Sequence, residues 1–153
     1  MAFLVTGLLA QVIPAFGFRR RNAVAEAPAR TLLRGASRRA YSVEVHAREA
    51  VSALRGVAAV YCYARTLAGD DGAARDNPDF AIGYIAQTAD MAARHAEHER
   101  LQHFAGQDFD VVLLVREALE IIRADIERDL LQRYDPPLNE LLRGHQPGPT
   151  ESD

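Results

Sequence analysis

His95, Glu99 and His103 fall at four-residue steps within the run Arg94-His95-Ala96-Glu97-His98-Glu99-Arg100-Leu101-Gln102-His103. On a helix that spacing keeps all three on one slowly drifting edge, where two of them could bind one divalent ion with help from a carboxylate on a neighbouring helix. The chemistry would be that of a metal-binding helical-bundle enzyme or a metal-storage module, with the divalent metal as its cofactor. The competing account is a solvated polar face, the usual fate of a charge run on a helix.

Finer spacing weighs against the metal. His98 and His103 stand five residues apart, about 140° around a helix of 3.6 residues per turn, one step too long for the zinc-protease arrangement. The di-iron bundle pattern needs Glu-x-x-His on two helices, and the chain has it on none. His95-x-x-x-Glu99 resembles the pair of hemerythrin-like bundles, but the downstream histidines of that pattern are missing. Glu117, Glu120, Asp125, Glu127 and Asp129 alternate with Arg116, Arg123, Arg128 and Arg133 at three- and four-residue steps, which reads as surface ion pairing. The single cysteine, Cys62, excludes an internal disulfide and reads as a buried, inert thiol. There is no lysine, hence no Schiff base and no phosphate-loop lysine. No catalytic residue is assigned, and the balance is against an enzyme.

The elements expected to position these residues are helices. Ser42 caps a helix over 43–68 whose inward stripe runs Ala47, Ala50, Val51, Leu54, Ala58, Tyr61, Ala64 and Ala68, leaving Tyr63 to face elsewhere. Asn77-Pro78 starts a second helix to about 105, with Ile82, Ile85, Ala89, Ala92 and Ala96 inward. Asp108 caps a third, with Val112, Val115, Leu119, Ile122 and Ile126 at three-four spacing to about Tyr134, stopped by Pro136-Pro137; Leu138, Leu141 and Leu142 mark a short fourth. The expected fold is all-α: three long antiparallel helices plus a short fourth, a helical bundle over 42–144, with 145–153 as a disordered tail.

Charge divides the chain. Residues 1–41 carry seven Arg and one acid, net +6, and residues 42–153 carry net −9 within an overall −3. Residues 1–18 hold no charged side chain and run into Arg19-Arg20-Arg21, too short for a firm membrane span but fit for an anchor whose basic end stays on the cytoplasmic side. Arg30, Arg34 and Arg38 extend the basic character at four-residue steps, as on a short amphipathic helix that contacts an anionic surface. This Arg-rich, acid-poor leader resembles a mitochondrial presequence, and Arg39, Tyr41 and Ser42 resemble its matrix-processing site. The resemblance implies a transit peptide and a mitochondrial location; a bacterial inner-membrane anchor facing the cytoplasm fits the same residues.

The function expected from these features is a small non-catalytic helical interaction or accessory subunit, membrane-associated or organelle-targeted, whose partner is another protein or a second copy. The alternatives are the metal-binding bundle above and binding of lipid or nucleic acid through the basic leader. A net −9 surface disfavours nucleic acid as a partner of the folded part.

Overall fold

A computed structural model describes residues 27–67 and 79–143. The protein is built on a five-stranded antiparallel sheet, so the expectation of an all-α helical bundle is corrected to an α/β fold. The strands are β1 (Ala29–Arg34), β2 (Ala40–Ala47), β3 (Ala59–Thr66), β4 (Phe80–Thr88) and β5 (Val111–Arg116), in the order β1-β2-β5-β3-β4. Two hairpins, β1–β2 and β3–β4, lie apart until β5 enters between them, antiparallel to both β2 and β3.

Physical chemistry explains why the strands read as helices. In β3 the run Ala59 to Ala64 is buried throughout, because both sheet faces are covered, so the in-out alternation of a half-exposed strand never appears. A continuous apolar run satisfies a three-four spacing as easily as a spacing of two. Val111-Val112-Leu113-Leu114-Val115 does the same in β5, where three β-branched residues favour the extended backbone. The expected helices over 43–68, 78–105 and 108–134 thus give way to β2 and β3, to β4 with α1 (Met91–Arg100), and to β5 with α2 (Glu120–Tyr134). Pro136-Pro137 does separate α2 from a short α3 (Pro137–Arg143).

The two faces carry separate cores. Leu33, Val43, Val60, Cys62, Ile85 and Leu113 pack on Ile126 and Leu130 of α2. On the opposite face Tyr61, Tyr63, Val112 and Leu114 pack under Met91 of α1, under Phe104 and Phe109 of the segment that follows it, and under Val51 of a 3-10 turn (Arg48–Ala53). Each such side chain, fully buried, contributes about 1.5–3 kcal/mol. Leu138 and Leu142 of α3 join this second core, so the chain passes from α2 on one face to α3 on the other around the β4 edge.

At that edge the Asn139 side chain acts as a strand partner. Its Oδ1 accepts from Ile85 N–H at 2.9 Å and its Nδ2 donates to Ile85 C=O at 2.6 Å. An open strand edge invites pairing with another chain, and a side-chain amide covers this one.

Residues 28–41, expected as an amphipathic helix, form β1, a turn and the start of β2. Asp129 of α2 fastens that turn, accepting from Ser37 N–H and Ser37 Oγ at 2.7 Å each and from Tyr41 OH at 2.6 Å. These bonds hold the Asp129 carboxyl below its ordinary range although burial pushes the other way. Residue 42 falls inside β2, and Leu33 of β1 is fully buried. Cleavage before Ser42 would therefore remove an edge strand and a core side chain. Residues 1–26, with Arg19, Arg20 and Arg21, residues 68–78, with Ala68 and the expected Asn77-Pro78 helix start, and the tail 144–153 lie outside the described residues. No helix among the described residues is long and apolar enough to cross a membrane, and none forms a helical bundle.

Candidate functional site

Tyr61 and Tyr63 stand two apart on β3, so the pleat points both side chains to the same face. Tyr84, opposite Tyr63 on β4, joins them there. Above them lies α1, started by the Asp90 carboxylate accepting from Ala93 N–H at 3.2 Å. Met91, Arg94, His95 and His98 follow at helical spacing, and of these Met91, His95 and His98 are buried against the sheet. The sequence stripe His95, Glu99, His103 is thus not the inward one.

The polar groups in this layer are satisfied by one another. Tyr61 OH meets His98 Nε2 at 2.8 Å, and His98 Nδ1 meets His103 Nδ1 at 2.8 Å. A second, separate pair is Tyr63 OH with His95 Nδ1 at 2.6 Å. Phe104 lies against the rings, 4.3 Å from Tyr63 and 4.8 Å from His98 between centroids, and Phe109 closes the stack from behind. Gly83 leaves room for Phe109, because a Cβ there would overlap the Phe109 ring.

The Tyr61 and Tyr84 rings lie 6.2 Å apart between centroids, and each phenol is held above its ordinary value. Burial, first, and then Tyr84 push the Tyr61 phenol well up from its ordinary value, while the Arg94 guanidinium pulls it down. Tyr84 is likewise raised by burial; Arg94 and the bond to Tyr61 lower it, and Glu127 of α2 and Glu97 oppose its ionisation. Arg94 is half-exposed and pairs with Glu97 at 2.8 Å, one helical turn on. His98 is held neutral to about 3 by burial first, then by His103, Arg94 and His95. His95 is lowered too, by burial, with Glu99 raising it and Arg48 lowering it.

The proposed metal ligands are drawn to different partners. His95 Nδ1 is taken by Tyr63, Glu99 accepts from Arg48 at 2.6 and 3.1 Å, and His103 bonds His98. Among the described residues no group of three or more His, Cys, Asp or Glu is placed to hold a metal ion. Of the leader arginines, Arg30 lies on β1 and pairs with Glu44 at 3.3 Å, Arg34 ends that strand, and Arg38 occupies the turn at φ 69. Arg39 follows in the same turn, Tyr41 is buried with its hydroxyl on Asp129, and Ser42 is exposed on β2.

Several ion pairs read from the third segment also give way. Arg116 binds Glu44 at 2.9 Å, and Asp129 serves the β1–β2 turn. Arg123 is buried, donating to the carbonyls of Glu117 and Ala118 at 3.1 and 2.7 Å and so tying down the loop before α2. Cys62 is fully enclosed, its thiol pushed up to about 12 by burial, which leaves no thiolate for nucleophilic work.

The residues missed by sequence reasoning are Tyr61, Tyr63 and Tyr84 as a group, His98 and Arg94. The signal that could have found them is Tyr-x-Tyr at strand spacing together with His95 and His98 at i, i+3 on one helix face. Comparison with known proteins finds no matching family model, no matching curated protein and no matching solved structure.

Proposed function

We propose that the protein is an acid–base catalyst acting on a phosphate ester, with Tyr84 as its proton-transfer group and Arg94 of α1 as its cation. The observation that carries this reading is one layer in which Tyr61, Tyr63 and Tyr84 of β3 and β4 lie against the buried imidazoles of His95 and His98, with Arg94 on the same helix. Perturbed titratable groups gathered in one place are candidates for a functional site. Arg94 supplies a permanent cation whose planar fork matches two phosphate oxygens, and its exposed pair with Glu97 costs under about 1 kcal/mol to open. Tyr84, the more accessible phenol, exchanges the proton with the attacking or leaving oxygen.

The test is turnover of p-nitrophenyl phosphate monoesters, diesters and carboxylate esters by the full chain, with and without magnesium. A phosphate ester should be hydrolysed, and Tyr84→Phe should cut kcat/KM by about 10²–10⁴ while leaving the fold intact. Absence of turnover with every ester, or a Tyr84→Phe rate equal to that of the parent, would sink the reading.

A second reading is the interaction subunit expected from the sequence, now placed on an α/β scaffold. It is favoured by Leu119, Ile121 and Ile122 at the start of α2, which are 58, 75 and 39 % exposed. Pairing of two copies through this patch would give concentration-dependent sedimentation as a dimer, abolished by Ile121→Glu. Monomeric sedimentation over the whole accessible concentration range removes it.

A further inference from the structure

The turn that joins β1 to β2 is fastened to α2 by Asp129. Ser37 donates to the Asp129 carboxylate from its backbone N–H and from its hydroxyl, at 2.7 Å each, and Tyr41 OH donates to it at 2.6 Å. Ala36 N–H adds a bond to the Asp129 carbonyl at 3.1 Å. The fit is tight, because a Cβ on Gly35 would overlap the Asp129 carboxyl group. Ser37 nevertheless lies exposed in the turn, which is closed by Arg38 N–H donating to Gly35 C=O at 3.0 Å. We propose that Ser37 is a phosphorylation site, and that a phosphate on its hydroxyl releases the β1–β2 turn from α2.

Sequence and geometry both point to Ser37. Arg34 stands three residues before it and Arg38 and Arg39 directly after it, all exposed, and no acid occurs from residue 28 to residue 43. An exposed serine inside a block of one charge sign suits a kinase whose substrate groove is acidic. Ser42 also has an arginine, Arg39, three residues before it, but it sits inside β2, paired with Leu32 of β1. The Ser37 N–H is bonded to a side chain instead, so opening the contacts with Asp129 frees the turn without breaking the sheet.

The reaction takes the terminal phosphoryl group from a nucleoside triphosphate. The Ser37 oxygen bonds to phosphorus, the bond from phosphorus to the bridging oxygen breaks, the hydroxyl proton is released and the nucleoside diphosphate leaves. The product reverses the local electrostatics. A hydroxyl that donated to a carboxylate becomes a group carrying a charge of about −1.5 to −2. Held against Asp129 it repels, and the close fit of the turn leaves no space for the phosphate between them. Asp129 must move away, and its departure also strips the Tyr41 hydroxyl of its acceptor. Tyr41 and Leu33 share a core with Ile126 and Leu130 of α2, so the disturbance passes into that core while β1 and β2 stay paired.

The test treats the full chain with magnesium ATP and an arginine-directed serine kinase, and maps the phosphate by mass spectrometry. Ser37 should carry it. The purified phosphorylated protein should melt roughly 5–10 °C below the parent, several times the loss in Ser37→Ala, which removes the hydrogen bond without adding charge. Amide exchange over residues 35–41 should quicken at least about tenfold. In Asp129→Asn the same modification should bring little further loss, because the opposing charge is gone. Phosphate on Ser42 in place of Ser37, no phosphate at all, or a phosphorylated chain that melts and exchanges like Ser37→Ala would each overturn the switch, as would an undiminished loss in Asp129→Asn. The comparison with Ser37→Ala decides the matter even if Asp129→Asn does not fold.

Discussion

On acidification from neutral pH, the protein should begin to lose stability near pH 6.5, well above the range in which carboxylates protonate. His98 is the main reason. Its imidazole ordinarily takes up a proton at about 6.5, but in the fold it stays neutral to about 3, chiefly through burial. Between those values the unfolded chain binds a proton that the folded chain refuses, so stability rises with pH across the window and falls as pH is lowered through it. At about 1.4 kcal/mol per pKa unit the whole window is on the order of 5 kcal/mol, a large part of the roughly 5–15 kcal/mol that holds a domain together. His95, lowered by burial, adds in the same direction.

Glu44, Asp110 and Asp129 contribute in a different window. Each is held below its ordinary carboxyl value by hydrogen bonds and nearby cations that outweigh the burial, so each stabilises the fold above that value and loses the contribution only at lower pH. The urea midpoint should therefore slope downward from about pH 6.5, and His98→Gln should flatten that slope while lowering the midpoint at neutral pH. A midpoint that stays level between neutrality and pH 5 would show that His98 is not held neutral.

The second large effect is expected at the β4 edge. Asn139→Ala removes both the acceptor of Ile85 N–H and the donor to Ile85 C=O, leaving a backbone pair without its partner beside a fully buried side chain. The cost should be about 2–4 kcal/mol, or a fall of roughly 10–20 °C in the melting temperature of a domain this size. Because α3 reaches the second core through Leu138 and Leu142, the loss also loosens the cover over the edge. Light scattering on warming should then show earlier self-association, as an uncovered strand pairs with its like. Asn139→Asp keeps the acceptor and loses the donor, and should fall between the two. An Asn139→Ala protein that melts with the parent and scatters no earlier would show that the amide is incidental.

Some of this was legible from the residues alone. The Pro136-Pro137 stop between α2 and α3, the short helix carrying Leu138 just beyond it, and a buried Cys62 follow from local chemistry that does not depend on distant neighbours. The strands did not, because their local signal is ambiguous. Val60 to Ala64 are buried on both sides, and a run with no polar position carries no period. The choice between helix and strand was made by Leu113 lying opposite Cys62 and Leu114 opposite Tyr61, pairings about fifty residues away along the chain.

The site divides in the same way. Sequence placed His95, Glu99 and His103 on one edge of a helix, and the chain does form α1 through His95 and Glu99. It ends at Arg100, and the turns that follow swing His103 back onto His98. Residue types alone determined that this protein has no lysine chemistry, no disulfide and a basic N-terminal third. Only the tertiary structure could decide that Tyr61 and Tyr63 share a face, that Tyr84 joins them from β4, and that His98 rather than Glu99 points inward. Those relations depend on how β3, β4, α1 and α2 pack. Burial then turns ordinary phenols and imidazoles into groups that hold their protons differently from any peptide.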